Sequence, residues 1–253
     1  MTQQLAAQAT AGPTARLIDI RGLTAGHSGV PVVRDLDLFV GPGEVVALLG
    51  ANGAGKTTTL LTVSGLVKTF AGSVEVLGEP VPFGAPHRVA RRGLAHVPED
   101  RSLFFQLTVE ENLKLGLRGS RAGQREGMGR ALDLLPALSP LMGRRAGLLS
   151  GGEQQMLAVA RALVSNPKVL MVDEISLGLA PVIVERLLPI VRRIADQTGA
   201  GVLFVEQHIH MALGIADRAY VLSRGECVLE GRGSELHERR DLLEASYLGD
   251  AAL

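Results

Sequence analysis

Only one cysteine is present in 253 residues, tryptophan is absent, and aromatic residues make up just 3% of the chain. A single thiol cannot form an internal disulfide, which fits a reducing compartment. Cys227 sits in Glu226-Cys227-Val228-Leu229, between the turn-like Arg224-Gly225 and Gly231. That is the setting of a small buried hydrophobe rather than of a reactive thiol. Neither sign of charge is in excess, since 26 Lys plus Arg balance 26 Asp plus Glu for a net charge of +0. No bulk field draws the chain onto nucleic acid or an acidic membrane surface, and nucleic acid is not an expected partner. Apolar runs stay well short of the ~20 residues of a spanning helix. Met1-Thr2-Gln3-Gln4 lacks the basic and apolar regions of a secretion signal. The expectation is a cytosolic chain that works at a membrane only by docking on another protein.

What the sequence has instead is aliphatic residues and glycine: 46% of residues are hydrophobic and 31 are Gly. A Leu, Val and Ala core with many tight loops is the composition of a buried parallel sheet. The length allows one large α/β domain. Residues 1–15, rich in Ala, Gln and Thr, read as a disordered tail, and the ordered domain as 16–250. Strands are expected at Leu17-Ile18-Asp19-Ile20 and across 32–40, then at Glu44-Val45-Val46-Ala47-Leu48-Leu49 after Gly41-Pro42-Gly43. A helix follows over about 56–64 and a strand at 73–77. Residues from about 86 to 165 read mainly as helices, an insert that interrupts the sheet. Within it, Thr108 and Glu111 have the spacing of a capping box. Strands return at 169–172, 201–205, 219–222 and 227–230, with helices over about 182–197 and 207–215.

Gly50-Ala51-Asn52-Gly53-Ala54-Gly55-Lys56-Thr57 matches G-x-x-x-x-G-K-[ST], between an apolar strand and a helix-forming run. Glycines let the backbone curl with its N–H groups inward, and the following helix adds its positive end, so the loop is a phosphate cradle. Lys56 is then placed for the β- and γ-phosphates of ATP, Thr57 for Mg²⁺ and Thr58 for an α-phosphate. A second apolar run, Val169-Leu170-Met171-Val172, ends in Asp173 and Glu174. That spacing sets Asp173 beside the metal and Glu174 beside the attacking water as general base.

Between these two features lies Leu149-Ser150-Gly151-Gly152-Glu153-Gln154-Gln155. Ser150 is a helix N-cap residue, but a cap does not require two glycines. A hydroxyl, two exposed amides and a helix N-terminus together make a second anion site. The segment closely resembles the LSGGQ-type signature of ABC ATPases, and the resemblance covers about 16–248. It implies a P-loop, RecA-like α/β core with a mostly parallel sheet, an N-terminal antiparallel β subdomain and an inserted helical subdomain. It also implies ATP hydrolysis with Mg²⁺ in a head-to-tail dimer that sandwiches two ATPs, where Ser150, Gly151, Gly152 and Glu153 face the partner's nucleotide.

The residues 152–158, Ser176-Leu177-Gly178-Leu179-Ala180-Pro181, Val205-Glu206-Gln207, Val97-Pro98-Glu99-Asp100-Arg101 and Tyr247-Leu248-Gly249 are similar to the LivF-type ATPases of branched-chain amino-acid importers. Partners implied are a second ATPase subunit (the same chain or a longer relative), two membrane permeases and, through them, an extracytoplasmic binding protein. The implied location is the inner face of the cell membrane. The alternatives are an ABC ATPase without a permease, as in DNA repair or translation, and a transporter ATPase for another cargo such as urea or lipopolysaccharide. Against the former stand a single phosphate loop, a single signature and no heptad run.

Several positions depart from the family pattern. Glu99 stands where the family carries a metal-touching Gln, and a carboxylate can bind the metal but cannot donate a hydrogen bond. His27 stands where an aromatic residue stacks on adenine, and it is either a stacking imidazole or a surface-turn residue. Ile175 replaces a frequent Pro after the catalytic Glu, which should loosen that turn. The γ-phosphate switch residue, counted ten back from Asp217, is Gln207, with His208 as the second candidate. Leu103, Phe104 and Phe105 are either a docking surface for a permease helix or ordinary core. His96 is assigned to a surface or subdomain face.

Overall fold

The computed structural model describes residues 15–238. The tail expected over 1–15 and the match at Tyr247-Leu248-Gly249 lie outside the described residues, apart from position 15. Among the described residues, ten strands form two sheets. One is antiparallel and comprises β1 (Ile18–His27), β2 (Val30–Val40), β4 (Lys68–Val76) and β5 (Glu79–Pro80) in the order β2-β1-β4-β5. The other comprises β3 (Val45–Gly50), β6 (Leu94–Val97), β7 (Val169–Val172), β8 (Gly201–Glu206), β9 (Arg218–Ser223) and β10 (Glu226–Arg232), in the order β10-β9-β3-β8-β7-β6. All its pairings are parallel except β9 with β10.

Every residue of β3, β7 and β8 is buried, which explains why these strands read as unbroken apolar runs. Alternation along β3 divides the interior in two. Val46 and Leu48 face the antiparallel sheet, in a core with Ile18, Leu38 and Leu60. Val45, Ala47 and Leu49 face the opposite way, into a core with Leu113, Leu157 and Val184. The glycine-rich loop at 50–57 thus leaves a strand clamped on both faces.

The helices are α1 (Lys56–Val63), α2 (Pro86–Arg92), α3 (Val109–Gly116), α4 (Arg121–Leu134), α5 (Gly151–Leu163), α6 (Pro181–Thr198), α7 (Ile209–Leu213) and α8 (Gly233–Glu238). Thr108 and Glu111 form the expected capping box at α3. The span read as helical over about 86–165 needs one correction. It contains β6, which pairs in parallel with β7 at the edge of the core sheet. Four residues interrupted by His96 carry too little periodicity to announce a strand, and pairing to β7 decides it. Helices α3 and α4 then pack on α5, which also touches β6 and so joins the helical layer to the sheet.

Candidate functional site

Local backbone and packing shape the glycine-rich loop at 50–57. Gly55 is the N-cap of α1 with φ +103°, and a Cβ there would lie 2.9 Å from Val33 Cγ2, so glycine answers both a backbone and a space requirement. No side chain caps α1, which leaves its first amides open to an anion. Lys56 is 4% exposed, and its Nζ donates to the Gly50 carbonyl at 2.8 Å and the Ala51 carbonyl at 3.0 Å. Burial lowers the Lys56 ammonium's pKa, and nearby carboxylates, Glu174 first, oppose the shift.

Opposite the loop, β7 delivers two acids. Asp173 is 2% exposed, its Oδ1 has no hydrogen-bond partner, and burial pushes its pKa up to about 6 against a hydrogen bond from Thr57. Glu174 has φ +46° and its amide donates to the Val205 carbonyl at 3.1 Å. A residue before proline is driven towards extended conformations, and buried Ile175 at the next position leaves Glu174 free of that restriction. Ile175 itself packs in the core.

Lys56, Thr57, Thr58, Glu99, Glu174 and Gln207 converge on a cleft of about 340 Å³, joined by Asn52, Gly53 and Gly55 of the loop and by Val32 and Leu177. Gln207 lines this cleft, whereas His208 does not and is the N-cap residue of α7. His27 is exposed at the end of β1 and is not among the lining residues. Ala54 is buried behind the loop.

Ser150, Gly151, Gly152 and Glu153 lie apart from the cleft, at the start of α5. Ser150 is the N-cap of a full capping box: its hydroxyl donates to Glu153 Oε2 at 2.8 Å and its amide to the same oxygen at 2.7 Å. These bonds hold the Glu153 carboxyl below its ordinary pKa. The glycines have a packing reason as well, because a Cβ on Gly152 would sit 2.7 Å from Ile183 Cγ2 and one on Gly151 3.1 Å from Leu179 Cδ2.

Two residues that carry the site's framework were not among the sequence candidates. Arg101 donates to Gln155 Oε1 at 2.7 Å, Gln154 Oε1 at 3.3 Å and the Leu177 carbonyl at 3.2 Å, tying α5 to the cleft wall. Glu206 is wholly buried and accepts hydrogen bonds from the amide and hydroxyl of Ser176. Its signal was available: an acid closing an otherwise apolar strand, the same pattern that singled out Asp173.

A second cavity, of about 470 Å³, opens between the core and the helical layer, lined in part by Leu66, Phe104, Leu115, Arg118 and Arg161. His96 lines it too, with Nδ1 3.0 Å from the Ser64 hydroxyl and Nε2 buried without a hydrogen-bond partner. Leu103 belongs to the core, while Phe104 and Phe105 are exposed. Cys227 packs against the inter-sheet core, and burial raises its thiol to about 11, which disfavours the nucleophilic thiolate.

The family model for ABC transporters matches residues 33–176. The chain is 42% identical over 224 residues to the high-affinity branched-chain amino acid transport ATP-binding protein BraG of Pseudomonas aeruginosa, covering 88% of this chain and 95% of that one. A probable branched-chain amino acid transport ATP-binding protein LivF of Archaeoglobus fulgidus is 36% identical, covering 87% and 95%. Among solved structures, a bacterial ABC transporter cassette determined as a dimer superposes with a TM-score of 0.72 at 25% identity, covering 85% of this chain and 98% of that one. On the family match and the identity to these relatives, the chain belongs to the ABC transporter family as an ATP-binding and ATP-hydrolysing subunit.

Proposed function

We propose that the cleft at the end of β3 binds ATP and that Glu174 activates the attacking water. The observation that carries this reading is the convergence of Lys56, Thr57, Thr58, Glu99, Glu174 and Gln207 on one cleft. Loop amides and Lys56 would hold the β- and γ-phosphates, with Thr58 on an α-phosphate oxygen. Asp173 Oδ1, buried and unpartnered beside Thr57, is an oxygen atom in want of a cation, and the donor set suits a hard divalent ion. Asp173 and Thr57 would hold Mg²⁺, with Glu99 beside them; when bound, the ion would neutralise charge on the β- and γ-phosphates. Gln207 lines the cleft, which supports it over His208 as the residue that would sense the γ-phosphate.

The signature at the head of α5 would complete a second subunit's site, since it stands outside this chain's own cleft. The dimeric cassette structure supports such a pairing. Permeases would dock in the groove lined by Leu66, Phe104 and Leu115, whose exposed apolar side chains find cover there. Among the described residues no helix is long and apolar enough to cross a membrane, so attachment to the inner membrane face would come through the permeases. The cargo inferred from BraG and LivF is branched-chain amino acids, delivered by an extracytoplasmic binding protein.

The test is made in the cell. Chromosomal Lys56→Ala should abolish uptake of radiolabelled leucine, isoleucine and valine while urea uptake is kept. Unchanged uptake of all three would refute the cargo.

A further inference from the structure

Glu206 ends β8, where every other residue is apolar, and is 0% exposed. Its two oxygens accept four hydrogen bonds. Oε1 takes the Ser176 amide at 2.9 Å. Oε2 takes the Ser176 hydroxyl at 2.8 Å, the Gln207 amide at 3.1 Å and the His208 amide at 3.3 Å. Three amides and one hydroxyl thus meet on the two oxygens of one carboxyl group; burial raises the Glu206 pKa, and the bonds from Ser176, His208 and Gln207 oppose that shift. The donors come from two separate turns. One follows Glu174 and continues through Leu177, whose carbonyl is bound by Arg101; the other carries Gln207. Glu174, Leu177 and Gln207 all line the nucleotide cleft.

We propose that Glu206 is a positioning residue for hydrolysis: its carboxylate locks the turn after Glu174 to the turn bearing Gln207, so that base and γ-phosphate sensor are held in register. Glu206 does not touch nucleotide. It acts through Gln207, and the inference therefore rests on reading Gln207 as the γ-phosphate residue. Because Ser176 begins the outward segment that reaches Leu179, packed beside Gly151 of the signature, displacement of that segment pulls on Gln207 through a single buried group.

Glu206→Gln keeps size but replaces one acceptor oxygen with a donor nitrogen, which opposes an N–H or O–H. In the purified chain it should lower kcat about ten- to a hundredfold, as expected for loss of a charge-assisted hydrogen bond. The KM for ATP and the affinity for ADP, which lacks a γ-phosphate, should stay within about threefold. Joined to Gln207→Ala, it should lower kcat no further than Gln207→Ala does alone. Ser176→Ala, which removes one donor and leaves the buried acid in place, should show the same pattern with a smaller loss and guards against a misfolded Glu206 variant. Wild-type kcat in Ser176→Ala or Glu206→Gln overturns the inference, as do losses that multiply with Gln207→Ala. Wild-type turnover in Gln207→Ala itself would instead overturn the reading of Gln207, and this inference with it.

Discussion

Lys56 Nζ lies 3.8 Å from Glu174 Oε1, so the cation proposed for the γ-phosphate and the acid proposed as general base form an ion pair across the cleft. Both side chains are largely buried, and the lysine is further tied to two loop carbonyls. A strand end and a loop from different parts of the chain have therefore brought opposite charges together where a phosphate would part them.

Glu174→Gln follows directly. The amide keeps the size and can still hydrogen-bond Lys56, but it cannot take a proton from water. Turnover should fall ~10²–10⁴-fold, while ATP affinity measured by equilibrium binding is kept and a dimer accumulates on size exclusion with ATP. Full ATPase activity in this variant removes Glu174 from the role of base.

Gly152 offers a test of why the signature contains glycine. Gly152→Ala puts a methyl 2.7 Å from Ile183 Cγ2 at the head of α5. Helix propensity alone favours alanine by up to ~1 kcal/mol, so a drop in steady-state turnover would report the displaced helix end rather than weakened helix formation. Adding Ile183→Ala should restore at least part of the lost rate. No recovery would rule out packing against Ile183 as the reason for the glycine.

His96 should make stability sensitive to acid. Burial lowers its imidazole from 6.5 to about 4. Below pH 6.5 the unfolded chain takes up a proton that the folded chain refuses. Its contribution is thus fully present above that value and is lost as pH falls through the folded value. Melting temperatures taken between pH 7.5 and 4.5 should fall more steeply for the wild type than for His96→Gln. Parallel curves would show that the imidazole is not held neutral.

Much of the architecture could be read locally. Val45-Val46-Ala47-Leu48-Leu49 and Val169-Leu170-Met171-Val172 are apolar because both faces of their strands are covered, and Thr108 with Glu111 marks a helix start through contacts only three residues long. The loop at 50–57 and the acids at 173 and 174 carry their chemistry in adjacent residues. Features made by distant partners could not be read that way. β6 exists because it pairs with β7, and Leu103 is core while Phe104 is surface because of how the 98–107 segment turns, with Arg101 and Ser102 both at positive φ. Glu206 and Ser176 are 30 residues apart, and nothing in either segment states that they meet.

The walls around the phosphate loop have an entropic consequence. Val33 of β2 stands against Gly55, the Gly225 amide donates to the Ala54 carbonyl at 3.2 Å, and the Gly225 carbonyl accepts the Arg34 amide at 2.8 Å. Two sheets and a hairpin turn thus freeze the loop's torsions when the chain folds. Ordering each such residue costs about 1–2 kcal/mol, and here that cost falls on folding, outside the binding equilibrium. A nucleotide bound there as proposed would meet a loop whose ordering cost was already met on folding, leaving phosphate contacts and released water to set its affinity.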